Sequence, residues 1–103
     1  MDSAVYKSIA AKIARDLEMA PVESDILVIE RFLPVIEKMR REGAVILLEW
    51  DGERGQGDNG VYTAVVSGKT LKGEHFRIDA DTIEEALSYI IVNYAMIKWG
   101  INL

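Results

Sequence analysis

No cysteine occurs in this chain of 103 residues. Disulfides and thiolate chemistry are therefore excluded, and a zinc site would have to be built from histidine and carboxylates alone. Histidine is nearly absent too: His75 is the single one. The longest apolar run is far below the ~20 residues that a membrane-spanning helix needs. The start, Met1-Asp2-Ser3, is not basic, and no apolar core of a signal peptide follows it. The expectation is a soluble cytoplasmic protein. Basic charge is scarce: 12 Lys and Arg face 17 Asp and Glu, for a net charge of −5. That balance disfavours nucleic acid as a direct partner, because phosphate recognition rests on Lys and Arg.

Apolar residues are plentiful, at 50%. A chain of this length forms one domain, residues 1–103, and buries roughly two-thirds of the surface its unfolded form exposes. The organising stretch runs from Ala44 to Asp79. Ala44 to Trp50 is an apolar, β-branched run, bounded by Gly43 and by a loop carrying Gly52, Gly55, Gly57 and Gly60. Side chains alternate across a strand, so Ala44, Ile46, Leu48 and Trp50 share one face and Val45, Leu47 and Glu49 the other. Both faces begin apolar, which predicts the central or most covered strand. The second strand is Val61 to Val66, with Ser67-Gly68-Lys69 after it compatible with a tight hairpin. The third spans roughly Gly73 to Ile78, with Phe76 and Ile78 facing one way and His75 and Arg77 the other.

Helical periodicity flanks these strands. From Ser3 to Met19, Tyr6, Ile9, Ile13 and Leu17 form one stripe, as expected of a surface helix with one buried side. Ala20-Pro21 ends it. From Val22 to Glu42 a second helix contains Pro34, which predicts a kink there or a division into two helices. Lys38, Arg40 and Arg41 suit its carbonyl end, and Gly43 suits the position just beyond. The third helix starts near Asp81, where Asp81-Thr82-Ile83-Glu84 has the spacing of a capping box, and ends at Gly100. Helices two and three each carry two apolar stripes. Those surplus stripes either cover each other or form a homodimer interface through residues 22–42 and 82–99. The fold class is α+β: a two-layer fold with a three-stranded antiparallel meander and helices before and after it, in the order α-α-β-β-β-α.

Motifs that would carry catalysis are weak. Gly55-Gln56-Gly57-Asp58-Asn59-Gly60 matches G-x-G-x-x-G in letters, but a strand follows it where a dinucleotide site needs a helix. The loop at 51–60 holds Asp51, Glu53, Asp58 and Asn59 without the spacing of a calcium-binding EF-hand. The serines lack a nucleophile-elbow context. No cofactor, metal or catalytic residue is assigned, and the chain is read as a non-enzyme.

The α-β-β-β-α order of the chain's second part resembles the double-stranded RNA-binding domain in topology. Tyr62 to Val66 followed by Gly68-Lys69 looks like that family's second strand and turn. Asp81-Thr82-Ile83-Glu84-Glu85 stands where the family carries a basic motif. The resemblance therefore extends to fold order and brings no functional residues across.

Meander connectivity makes a more specific statement. The loop between the first two strands and the start of the third helix fall at the same end of the sheet. Glu49, Asp51, Glu53 and Asp58 should then gather with Asp79, Asp81, Glu84 and Glu85. Helix capping and a solvated loop account for part of that acidity. The functional expectation is an acidic rim for a basic protein partner, as in a small inhibitor of the immunity-protein or antitoxin kind. The alternatives are a structural homodimer or secretion-chaperone-like scaffold, and a carboxylate metal-binding domain on the 51–60 loop.

Overall fold

The computed structural model describes residues 3–16, 23–54 and 60–101, with the backbone alone for 23–28. In order, the elements are α1 (Ser3–Asp16), α2 (Glu23–Arg41), β1 (Val45–Trp50), β2 (Tyr62–Ser67), a short 3-10 turn (Lys69–Leu71), β3 (Phe76–Ala80) and α3 (Ile83–Lys98). The strands form an antiparallel sheet in the order β1-β2-β3, and α2 and α3 cover one of its faces. This is the expected α+β meander, with helices before and after.

The sheet register explains the core. Ile46, Val66 and Phe76 lie opposite one another, as do Leu48, Ala64 and Ile78. Facing pairs point to the same side of a sheet, and this side meets the helices. α3 supplies Ile83, Ala86, Leu87, Ile90 and Tyr94, all buried, at the three- and four-residue spacing of a single helical face. Burying each large side chain contributes roughly 1.5–3 kcal/mol, so α3 is the main clamp on the sheet. α2 closes the side of the core through Met39, which is wholly buried, with Ile36, Phe32 and Ile29 partly so.

The end of α2 follows from its sequence. Gly43, at φ +108, donates from its N–H to the Arg40 carbonyl at 2.9 Å, and Ala44 donates to Met39 at 3.0 Å. This is a Schellman motif, and it requires the left-handed backbone that glycine adopts without strain. It turns the chain straight into β1. α2 runs unbroken through Pro34, so the division into two helices does not occur.

Four other expectations are corrected. β1 is an edge strand, and β2 is central. Val45 and Leu47 point to the uncovered face and are 52% and 59% exposed, so an apolar run on both faces does not mean coverage on both. α1 has no buried residue, so its stripe does not pack on the core as expected; residues 17–19 of the expected helix lie outside the described residues. The link from β2 to β3 is not a tight hairpin. It makes a 3-10 turn, passes through Lys72 in the left-handed region, and drops Leu71 into the core at 1% exposure. Finally, α3 is capped by Thr82, not Asp81: the Thr82 hydroxyl accepts from the Glu85 N–H at 3.1 Å. The cap is shifted by one residue, and Asp81 accepts from the Gly60 N–H instead.

Of the two expected coverings of the surplus stripes, mutual packing of α2 on α3 occurs, and it uses up part of them. Tyr89, Val92 and Met96 on α3 remain exposed. Among the described residues no helix is long and apolar enough to cross a membrane.

Candidate protein-binding site

The end of the sheet where β1 leaves and α3 begins is built around Arg54. Asp51 donates its N–H to the Val61 carbonyl at 2.9 Å, which closes the neck of the loop. Its carboxylate accepts the Glu53 N–H at 3.0 Å, a local turn that aspartate makes readily. The chain thereby reverses, and Arg54 points back across the sheet end. Its Nε lies 3.2 Å from Asp51 Oδ2 and its Nη2 lies 3.6 Å from Asp79 Oδ2. Nη1 donates to the Gly60 carbonyl. One guanidinium thus spans both ends of the β1–β2 loop and β3.

Gly60 is held from its other side as well. Its N–H donates to Asp81 Oδ1 at 2.6 Å, which is why Asp81 is not the helix cap. Gly60 has φ +78, and a Cβ there would come within 2.8 Å of the Asp79 Cβ. No other residue fits this approach. Asp79 also accepts from the Thr63 hydroxyl at 2.5 Å, and Arg77 lies 3.3 Å away. The Thr63 hydrogen bond, followed by the charges of Arg77 and Arg54, holds the Asp79 carboxyl below its usual range.

The structure divides the eight predicted carboxylates. Asp51, Asp79 and Asp81 do meet at one pole, and each is tied into the Arg54 framework. Glu49 lies in the same cross-strand row as Thr63 and Asp79, and Glu53, Glu84 and Glu85 are exposed nearby on the loop and on the first turn of α3. The carboxylates of these four glutamates make no hydrogen bond or ion pair among the described residues. Asp58, with most of the G-x-G-x-x-G segment, lies outside the described residues.

The same pole carries aromatic surface. Trp50 is 57% exposed and sits edge-on to Tyr62 with ring centroids 6.3 Å apart. Trp50, Tyr62, Val61, Asp51, Gly52 and Arg54 line a hollow of about 240 Å³. Sequence reasoning found the acids and missed Arg54, Thr63 and the exposed Trp50. The arginine amid so many carboxylates was the available signal. Among the described residues no cluster of carboxylates or imidazole could hold a metal ion.

At the opposite pole, Glu42 is the hub. It accepts from Lys38 at 2.9 Å, Tyr94 Oη at 2.8 Å and Trp99 Nε1 at 3.0 Å. This residue was also missed. A carboxylate at the carbonyl end of a helix opposes the helix dipole, and that mismatch was the clue that it serves something else.

No protein-family model matches the chain, and neither a curated protein nor a solved structure is significantly similar to it.

Proposed function

We propose that the protein acts by binding another polypeptide, as a small acidic inhibitor of the immunity-protein or antitoxin kind. Its pole of carboxylates occupies a basic site on the partner. The observation that carries this reading is the pairing of an exposed aromatic with unneutralised acid. Trp50 stands out from the pole; the exposed glutamates Glu53, Glu84 and Glu85 lie on the loop and the first turn of α3 beside a framework braced by Arg54, and Glu49 lies on the other face of the sheet. Tryptophan, tyrosine and arginine are the side chains that most often dominate binding energy at interfaces. Free carboxylates around such an anchor steer a basic partner and speed its association. Bracing of the framework lowers the ordering cost on binding.

The experiment is affinity capture from the host lysate with identification by mass spectrometry, using wild type and a variant with Glu49→Lys, Glu53→Lys, Glu84→Lys and Glu85→Lys. A basic protein retained by wild type and lost from the variant supports the reading. The same proteins retained by both would remove it. Among the described residues the side chains at the four positions make no hydrogen bond, so the variant should stay folded.

A further inference from the structure

The chain exposes more surface than a compact fold of its mass. Its accessible area is 7486 Å², against about 5,800 Å² for a folded monomer of this size. Its Cα radius of gyration is 16.0 Å, against about 13 Å for a compact domain of this length.

Two exposed apolar surfaces among the described residues complement each other. The first is α1. None of its residues is buried, and Tyr6, Ile9 and Ile13 form an exposed apolar stripe. A helix of 14 residues is marginal in water on its own, because helices in proteins owe their stability mostly to packing. α1 needs a surface to lie on. Lys7, Lys12 and Arg15 against Asp16 also make it a basic helix in an acidic chain.

The second surface is a groove of about 360 Å³ between α3 and the edge strand β3. It is lined by Ile78, Tyr89 and Val92, with Glu85, Ser88 and Asn93 at its borders. Exposed Met96 continues the apolar line one turn further. Glu85 gives the groove an acidic border. At 1.5 Å per residue, α1 is about 21 Å long and α3 about 24 Å, so the two match in length.

We propose that α1 of one chain packs into the α3–β3 groove of a second copy, and reciprocally, in a two-fold symmetric homodimer. The basic residues of α1 run past Glu85, which this contact withdraws from the acidic pole while Glu49, Glu53 and Glu84 stay outside the groove, and each dimer contains the contact twice, as an isologous interface must. The uncovered sheet face is the poorer receiver. It is apolar at Val45 and Leu47 and then crossed by Glu49, Arg77 and Asp79.

Light scattering on the full chain should give twice the 11.5 kDa chain mass, and a monomer mass would overturn the proposal. Val92→Glu with Met96→Glu should yield a monomer. Because that variant could instead lose its fold, a second test uses the absence of cysteine. Ile9→Cys and Val92→Cys are prepared as separate proteins, mixed and oxidised. A disulfide joining the two different chains is the expected product. No cross-link between the separate chains, or one formed only inside a chain carrying both substitutions, would overturn it.

Discussion

Tyr94 Oη donates to Glu42 Oε1 at 2.8 Å and so joins the end of α2 to α3 across 52 positions of sequence. Trp99, the residue that caps α3 at its C-terminal end, adds a second donor, and its ring stands edge-on to Tyr94 with centroids 5.3 Å apart. Lys38 completes the set, with its Nζ 2.9 Å from the Glu42 carboxylate and 5.0 Å from the centre of the Trp99 ring.

The lock has a pH signature. The hydrogen bonds from Lys38, then Trp99 and Tyr94, lower the Glu42 carboxyl from 4.5 to about 2. In the unfolded chain it returns to 4.5. The stabilisation is therefore complete above pH 4.5 and is lost as pH falls from 4.5 toward 2. Denaturant melts across that interval should show falling stability in the wild type. Glu42→Gln should be less stable at neutral pH and show a shallower fall; an unchanged slope would count against the lock. Burial, with the Glu42 charge adding to it, raises the Tyr94 hydroxyl pKa, so Tyr94 stays a donor throughout.

Thr82→Ala should cost about 1 kcal/mol, the usual loss of an N-terminal cap, and loosen the first turn of α3. Asp81→Ala should leave that turn intact and free Gly60, whose N–H it accepts. Hydrogen exchange at Glu85 and Gly60 separates the two. Protection lost at Glu85 in the Asp81 variant would reverse the assignment.

Leu71→Ala should cost about 2–5 kcal/mol, since Leu71 is 1% exposed in the 3-10 turn. Chemical denaturation measures it. A loss under 1 kcal/mol would mean the turn can collapse onto the space left behind.

Much of this architecture was legible in the chain. Alternation of Phe76, Arg77 and Ile78, glycine punctuation after Trp50, and the stripe from Ile83 to Tyr94 are local signals, and they gave the meander and its last helix. The meeting of Asp51, Asp79 and Asp81 at one end of the sheet followed from connectivity. Strand order was misread because Val45 and Leu47 look buried in sequence, while coverage is decided by where the helices lie. Arg54 was missed because its partner Asp79 is far along the chain, and only the folded sheet end brings them together. The cap was misplaced by one residue because aspartate is the better cap by type, and only the folded chain shows that Gly60 claims Asp81 and leaves the cap to Thr82.

Arg54→Ala should unfasten the pole without unfolding the sheet. These ion pairs are half-buried and lie at the rim of the sheet, outside the core, so global stability should fall modestly. Exchange at Gly60 and Asp51 should rise, and partner affinity should drop through lost bracing. Full affinity with a loosened loop would mean that bracing is irrelevant to binding.

The most direct measurement is the salt dependence of affinity for the captured partner, made by calorimetry on wild type and on the Glu49→Gln, Glu53→Gln, Glu84→Gln, Glu85→Gln variant. Wild-type affinity should fall steadily as ionic strength rises, and the variant should bind more weakly with a flatter dependence. Affinity indifferent to salt and equal in both proteins would contradict binding through the carboxylate pole.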